Sequence, residues 1–379
     1  MDYTKAKLGF KVRKLFRYIL LYGFSRTLVK VKGQYHMQAK VVEMKSNLSN
    51  GKEHKNVGLI GCGNYAYSNI AYYLKKNYGN VINSCMDIDI NRANSLANSF
   101  KIDRSLEHSQ QICDDDGIDI VYVASNHSTH AEYAIEALNK NKIVHIEKPH
   151  VVSHDQNERL YEAYEASSGF INLGFNRPNS KFGRIIRRAL EKDTGPMMIT
   201  WFIAGHKIDP DHWYFKKEEG GRVLGNLCHW TDFTLKMIDP SHRYPLTIIP
   251  VKYKKADSDI IANYIFGDGS IASITFSAKG HTFEGVREKL MVHRGNTLVW
   301  MDDFRNLTVE CLDNKRKYRN LYRDQGHEEN ILRSYNIIEN PMENSCSPKE
   351  VYETAHLFLK TKDALDSNET IVIHGDELK

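Results

Sequence analysis

A chain of 379 residues with 41% hydrophobic and 26% charged side chains is too long for one ordinary core, so two domains are expected and disordered or fibrous classes are excluded. The net charge is +5, but residues 1–50 hold eleven Lys/Arg against Asp2 and Glu43; this arm carries +9 and the rest of the chain −4, leaving no basic stripe suited to nucleic acid. The six cysteines are scattered without a CxxC pair, which excludes a zinc ribbon or a secreted disulfide framework and fits reduced thiols in the cytoplasm. No apolar run approaches the ~18 residues of a membrane span, and YILLYGF (18–24) lacks the cleavage site of a signal peptide.

The arm reads as one helix with an apolar side (Phe10, Leu15, Phe16, Ile19, Leu20) and basic residues between (Lys11, Arg13, Lys14, Arg17), followed by an extended stretch, QYHMQAKVV. It is either a helix docked on its own or a neighbouring subunit, or a module for a membrane surface or partner. The polar run 46–56 is the linker, which gives a basic extension over 1–53.

From residue 57 strands and helices alternate: NVGLIG, SNIAYYLKKNY, VINSCMD, NRANSLANSF, GIDIVYVAS, HAEYAIEALNK, KIVHIEKP, a helix over 153–168 and GFINLGFN. Such βαβ units imply a buried parallel sheet, assigned to residues 54–176. After about residue 195 the runs alternate in polarity (MMITWFIA, TIIPVKYKKA, DIIANYIFG, GSIASITFSAKG, KLMVHRG), as antiparallel strands with one covered face do. NLCHWTDFTLKMI, HEENILRSYNII and PKEVYETAHLFLKTKDAL are helical and complete a second domain over 177–379. The fold class is therefore α/β: an N-terminal Rossmann-type doubly wound parallel sheet plus a C-terminal α+β domain with a large open, mostly antiparallel sheet.

GCGNYA (61–66) follows the first strand and opens the first helix. Gly61 permits the tight turn, Gly63 lets backbone approach a pyrophosphate, and Ala66 allows close helix–strand packing; Cys62, Asn64 and Tyr65 complete the loop at the positive end of the helix. Asp87 ends the second strand, where its carboxylate accepts from ribose hydroxyls, favours NAD and repels the extra phosphate of NADP. Ser125, Asn126, His127 and His130, at the end of the fourth strand, are candidates to line the cofactor cleft, with helix capping as the structural role for His130. Glu147 and Lys148 then stand at the end of the next strand, beside the expected nicotinamide. There Lys148 would have a lowered pKa and take a proton from a hydroxyl, while Glu147 orients the ammonium or bonds to cofactor ribose.

Read in order, GLIGCGNYA, MDIDINRANSLA, VYVASNHSTHAEYAIEAL, IVHIEKP and INLGFNRPNSKFGRI resemble the Gfo/Idh/MocA oxidoreductases over roughly residues 56–375. The resemblance implies a Rossmann domain followed by an open-sheet domain that packs in homodimers or homotetramers, with the EKP lysine catalytic at Lys148. EEGGRVLGNLCHWTDF (218–233) is similar to the family's GGGxLxDxGxHxxD: His229 and Asp232 match, but the acid falls on Gly225, and Asn226 stands where a subgroup would carry Glu. Lys148 and His229 are thus the catalytic pair. GHKIDPDHWYF (205–215) suits a sugar pocket, with Trp213 or Tyr214 stacking and His212 or Asp209 bonding to hydroxyls. Asn176, Arg177, Asn226 and His229 join the substrate set; Arg177 is placed to hold a carboxylate or phosphate bidentately, and His327 in QGHEENI is a further pocket candidate. His206, His212 and His229 have no recognised ligand spacing, so no metal is expected.

The function expected is hydride transfer between NAD and a hydroxyl carbon of a sugar or nucleotide sugar, in polysaccharide or glycoconjugate synthesis. An NAD-retaining glycosidase and a non-catalytic NAD-binding regulator are the alternatives. The location expected is cytoplasmic, with peripheral membrane contact through the arm as the variant.

Overall fold

The computed structural model describes residues 6–44, 55–209, 211–252, 259–280 and 283–379; all of the linker expected at 46–56 except its last two residues lies outside the described residues. The arm forms two helices, α1 (Leu8–Tyr22) and α2 (Phe24–His36), where one was expected. Gly23 makes the break. Its φ of +81° is open only to glycine, and Tyr322 lies 3.1 Å from where a Cβ would stand. The helix then continues through Gln34–His36, the start of the stretch read as extended.

Six parallel strands make the first sheet: β1 (Val57–Ile60), β2 (Ile82–Met86), β3 (Arg104–Leu106), β4 (Ile120–Val123), β5 (Ile143–Ile146) and β6 (Ile171–Leu173), in the order β3-β2-β1-β4-β5-β6. β1 and β4 are buried along their whole length, as strands covered on both faces must be. Wide π-type turns over Ala66–Ala71 lead into α3 (Tyr72–Tyr78), and α4 (Ile90–Phe100), α5 (Gln110–Cys113), α6 (His130–Leu138) and α7 (His154–Ala166) fill the crossovers. β3 escaped the sequence reading because it is a three-residue edge strand with Arg104 exposed. The strand order reverses between β1 and β4, which puts a ligand crevice at their carboxyl ends.

α8 (Lys181–Leu190) joins this unit to a nine-stranded sheet: β7 (Met197–Ala204), β8 (Leu246–Lys252), β9 (Asp259–Ile265), β10 (Ile271–Ser277), β11 (Arg287–Arg294), β12 (Thr297–Asp302), β13 (Asn306–Cys311), β14 (Asn314–Arg319) and β15 (Ile371–Ile373). Their order is β14-β13-β12-β11-β7-β10-β9-β8-β15, antiparallel except where β7 and β10 run together. Strict alternation in β7 buries Ile199, Trp201 and Ile203 and exposes Met198 and Phe202, so one face is covered and one is bare. Wide turns over Val223–Leu227 lead into α9 (Cys228–Leu235), whose Phe233 ring packs 5.5 Å from Trp201 under the covered face.

α10 (His327–Tyr335) returns to the first sheet: Tyr122 donates to the Ile331 carbonyl at 2.9 Å, and Ile331 shares a core with Leu59 and Tyr122. α11 (Pro341–Asn344) and α12 (Pro348–Ser367) follow, α12 lying along α7 and α9. The segment after residue 177 thus serves both sheets. Among the described residues no helix is long and apolar enough to cross a membrane.

Candidate active site

The glycine loop is built by close approach on one side and open space on the other. Gly61 has φ +90°, and a Cβ there would meet the Ala124 carbonyl at 2.5 Å, so glycine alone lets the ends of β1 and β4 lie side by side. At Gly63 nothing lies within 4 Å of a Cβ position, the clearance that phosphate oxygens need over a helix start. Cys62 and Ala66 are fully buried; burial raises the Cys62 thiol far above its usual value, so this residue offers the cleft only backbone. Asp87 accepts from Cys62 N at 2.7 Å and Asp89 N at 2.9 Å, and a carboxylate of about four lone-pair sites keeps capacity for two hydroxyls. A cavity of about 760 Å³ opens beside it, lined by Asp87, Ile88, His108 and Tyr133. This donor and acceptor set fits a dinucleotide with its adenosine ribose on Asp87.

At the end of β5 the polar groups are held one by one. Glu147 is buried; its Oε1 accepts from His145 Nε2 at 3.1 Å, and His145 Nδ1 in turn meets the Ser334 hydroxyl at 2.7 Å. Gly174 makes the room, since a Cβ there would come within 2.9 Å of the Glu147 carboxylate. The Lys148 amine donates to the Gly225 carbonyl at 2.6 Å, in the wide turns that precede α9. Burial lowers the Lys148 pKa, Arg177 adds to the effect, and Cys228 and Glu147 oppose it. His229 lies one helical turn beyond Gly225. Burial and then the cations Arg177 and Lys148 hold it far below the usual histidine pKa, and its buried Nδ1 has no hydrogen-bond partner. Tyr65 reaches across from the glycine loop, its hydroxyl 3.3 Å from His327 Nδ1.

The loop over 205–219 closes the other side. Glu219 accepts from Ser128 N and Ser128 Oγ, and its carbonyl accepts from His127 Nδ1 at 3.0 Å. Trp213 and Tyr214 set their rings edge-on to His127 at 5.0 and 5.1 Å. A Cβ at Gly225 would lie 2.1 Å from the Tyr214 hydroxyl and 2.7 Å from His127 Cε1. The space of the family's acid is therefore filled by a phenol and an imidazole, which explains the departure seen in the sequence.

Several expected residues sit elsewhere. Arg177 is not available to a substrate carboxylate or phosphate: its fork holds Glu288 at 2.7 and 3.2 Å, its cation lies 4.9 Å over the Trp230 ring, and Trp230 Nε1 and Gln325 Nε2 also donate to Glu288. His130 neither lines the cleft nor caps α6; its ring nitrogens lie 2.8 Å from the Pro149 carbonyl and 3.0 Å from the Ser125 carbonyl, tying the two loops together. His212 is exposed and caps the turn at Trp213–Phe215, accepting from Tyr214 N at 3.3 Å. Asn226 meets Arg222 at 3.4 Å. Asp232 is a structural ion-pair partner of Lys236 at 3.0 Å. Asn176 does face inward: Nδ2 donates to the Gln325 carbonyl at 2.7 Å, and its buried Oδ1 has no partner. Ser125 and Asn126 lie at the open lip of β4, their side and main chains bonded to Thr129.

Sequence reasoning gave no role to Glu219, His145, Ser334 and Gly174, although His145, Gly174 and Glu219 lie inside the stretches that carry the resemblance. Of the two readings of the arm, docking on its own subunit is the one seen, against the glycine loop. α2 packs on the glycine-loop helix: His36 bonds through Nε2 to the Cys62 carbonyl at 2.7 Å and through Nδ1 to Ser95 at 2.9 Å, Arg26 donates to the Ser68 carbonyl and Asn69 Oδ1, and Gly33 lies against Asn64.

The architecture is a Rossmann-type parallel sheet with a glycine loop, followed by a large open-sheet domain. Residues 55–175 match the model of the Gfo/Idh/MocA oxidoreductase family, NAD-binding Rossmann fold. An oxidoreductase of Formosa agariphila is 31% identical over 124 residues, 32% of this chain and 38% of the relative. The myo-inositol 2-dehydrogenase of Thermotoga maritima is 23% identical over 173 residues, 46% of this chain and 52% of the relative. The chain thus matches about half or less of the length of these curated relatives. Among solved structures, a levoglucosan dehydrogenase in complex with NADH and L-sorbose shares the fold with a TM-score of 0.72 and 16% identity, covering 85% of this chain and 99% of the other.

Proposed function

We propose that the protein is an NAD-dependent oxidoreductase that moves a hydride between the nicotinamide and a hydroxyl-bearing carbon of a sugar or nucleotide sugar. The observation that carries this reading is the Lys148 amine, held 2.6 Å from the Gly225 carbonyl at the carboxyl end of β5 with its pKa lowered by burial. When bound, the cofactor supplies the hydride acceptor or donor. This chain supplies the rest. Lys148 takes the hydroxyl proton as the carbon–hydrogen bond gives up its electron pair, and returns it in the reverse direction. His229 is neutral, with an unpartnered Nδ1 suited to bonding the same oxygen. Trp213, partly buried beside His127, offers an apolar face for a sugar ring, on a loop held by Glu219.

Support for a homodimer or homotetramer comes from the bare face of the nine-stranded sheet, where Met198, Phe202 and Met291 are each at least half exposed on adjacent strands. All six cysteines are free, which supports a reducing compartment. The arm's basic balance supports peripheral docking of the enzyme at a membrane. The same arm is what supports a setting in polysaccharide or glycoconjugate synthesis, since Arg177 is held by Glu288. Purified protein screened against free sugars and nucleotide sugars is expected to form NADH with one of them. Glycoside cleavage without net NADH would point to the NAD-retaining glycosidase, and failure to bind NAD would end the reading.

A further inference from the structure

The α1–α2 hairpin joins the glycine-loop helix to loops of the C-terminal domain. α2 lies on the glycine-loop helix, while α1 lies against the loop before β11 and the segment before α10: Arg17 pairs with Glu284, Phe10 sets its ring edge-on to Phe283 at 5.4 Å, and Arg323 bonds the Tyr22 hydroxyl at 2.9 Å and the Leu21 carbonyl at 2.7 Å. Between α1, α2 and the residues Asn64 and Ser68 is a cavity of about 400 Å³. Its walls are apolar at Leu8, Val12, Leu15 and Val31, and three lysines, Lys11, Lys14 and Lys30, stand among them.

Lys30 holds its amine 4.8 Å over the Tyr22 ring, and among the described residues no carboxylate pairs with it. Burial, followed by Arg26 and Arg323, lowers the Lys30 amine to about 7. An amine set among apolar walls with no carboxylate beside it is stabilised as a cation by a bound anion. The outside of the hairpin adds a second property. Val12, Phe16 and Leu20 on α1 and Phe24, Leu28, Val31 and Tyr35 on α2 recur every three or four residues and are exposed, Phe24 by 69%. Leu8, Val12, Leu15, Val31 and Tyr35 belong both to this surface and to the cavity wall, so cavity and stripe are continuous. With +9 on residues 1–50, the stripe complements an anionic lipid surface, whereas the hairpin of a second copy would bring like charge.

We infer that this cavity takes the phosphate end of an amphiphile carrying an acyl or isoprenoid chain, drawn from a membrane surface on which the hairpin lies. The binding stands apart from the oxidoreductase reading; where both hold, the amphiphile is the carrier that brings a sugar to the cleft. The test uses the full chain without NAD, so a failure of hydride transfer leaves it readable. Calorimetric titration with decyl phosphate, below its micelle concentration, is expected to show binding at least about tenfold tighter than inorganic phosphate or decanol, which is about 1.4 kcal/mol. Lys30→Gln is expected to weaken it by about tenfold or more. Leu15→Glu, at an exposed position on the cavity wall, serves as the second variant if Lys30→Gln does not fold, and is expected to abolish binding with an unchanged unfolding midpoint. The protein should sediment with vesicles of phosphatidylcholine and phosphatidylglycerol, but not with phosphatidylcholine alone, and Phe16→Ser with Phe24→Ser should release it. No binding of decyl phosphate, or equal binding by both variants, overturns the cavity. Inorganic phosphate binding as tightly as decyl phosphate overturns the amphiphile, and indifference to phosphatidylglycerol overturns the membrane source.

Discussion

Two regions of the molecule, the cleft wall around Lys148 and the α1–α2 hairpin, are built on opposite principles. Around Lys148 each polar group is fixed by a specific neighbour: Lys148 by the Gly225 carbonyl, Glu147 by His145, His127 and Ser128 by Glu219. The hairpin is pinned at a few polar points, chiefly His36, Arg26 and Arg17, and otherwise turns apolar side chains to the outside. A wall of the first kind is preorganised for proton transfer, because nothing has to reorient when charge moves. A region of the second kind leaves apolar surface that only a further binding event would bury. Both cleft-lining helices nonetheless begin alike, in wide π-type turns at Ala66–Ala71 and Val223–Leu227, a winding often found at functional sites.

The largest break in the first wall is Lys148→Ala. Loss of a positioned proton acceptor is expected to cost about 10²–10⁴-fold in kcat with NAD affinity kept within a few fold. In wild type the oxidative rate should rise with pH through an amine pKa below the ordinary lysine value of 10.5, because the neutral amine is the acceptor and burial favours it. Steady-state kinetics with NAD titration checks both; a variant of normal turnover removes Lys148 from the chemistry.

Arg177 separates structural from chemical charge on the same wall. With its partner Glu288 1% exposed, Arg177→Met would strand a buried carboxylate at a cost of about 3–5 kcal/mol in stability, read by urea unfolding. Arg177→Met with Glu288→Gln should recover much of that loss, as neutral partners no longer need a counter-ion. If Arg177→Met instead raises KM with stability intact, the guanidinium belongs to the substrate after all.

The contrast also sorts what was legible in the sequence. That Gly61, Asp87 and Lys148 stand at or just past the ends of β1, β2 and β5 was legible because strand ends and turn glycines are set by neighbours in the chain. Arg177 was misread because its partner is 111 residues away, and nothing local distinguishes an arginine that grips a carboxylate of the fold from one awaiting a ligand. The absent acid at Gly225 was noticed, but its cause, the Tyr214 hydroxyl in that space, depends on a loop folding back. The break in the arm had a visible signal, Gly23 between two apolar runs, that helical periodicity overrode. α8 and β3 were passed over for want of motif or length, and the return of α10 to the first sheet is a tertiary fact that amphipathic spacing does not encode.

Two glycines give the smallest and sharpest comparison of the two regions. At Gly225 a methyl group would stand 2.1 Å from the Tyr214 hydroxyl and 2.7 Å from His127 Cε1, and both rings are braced, His127 by the Glu219 carbonyl and Trp213. Gly225→Ala should therefore cost about 1–3 kcal/mol as overpacking, and part of the loss should return when Tyr214→Ala is added. At Gly33 a methyl group would meet only Asn64 Oδ1 at 2.4 Å and Ser68 Cβ at 3.4 Å, the first being the end of a rotatable side chain. Alanine is also favoured over glycine inside a helix by about 1 kcal/mol, so Gly33→Ala should come out near neutral or slightly stabilising. Chemical unfolding of the two single variants side by side measures the difference directly. Equal costs would mean that α2 grips the glycine loop as tightly as the catalytic wall grips Lys148, and the hairpin would then be a fixed part of the fold and not a surface that opens to a ligand.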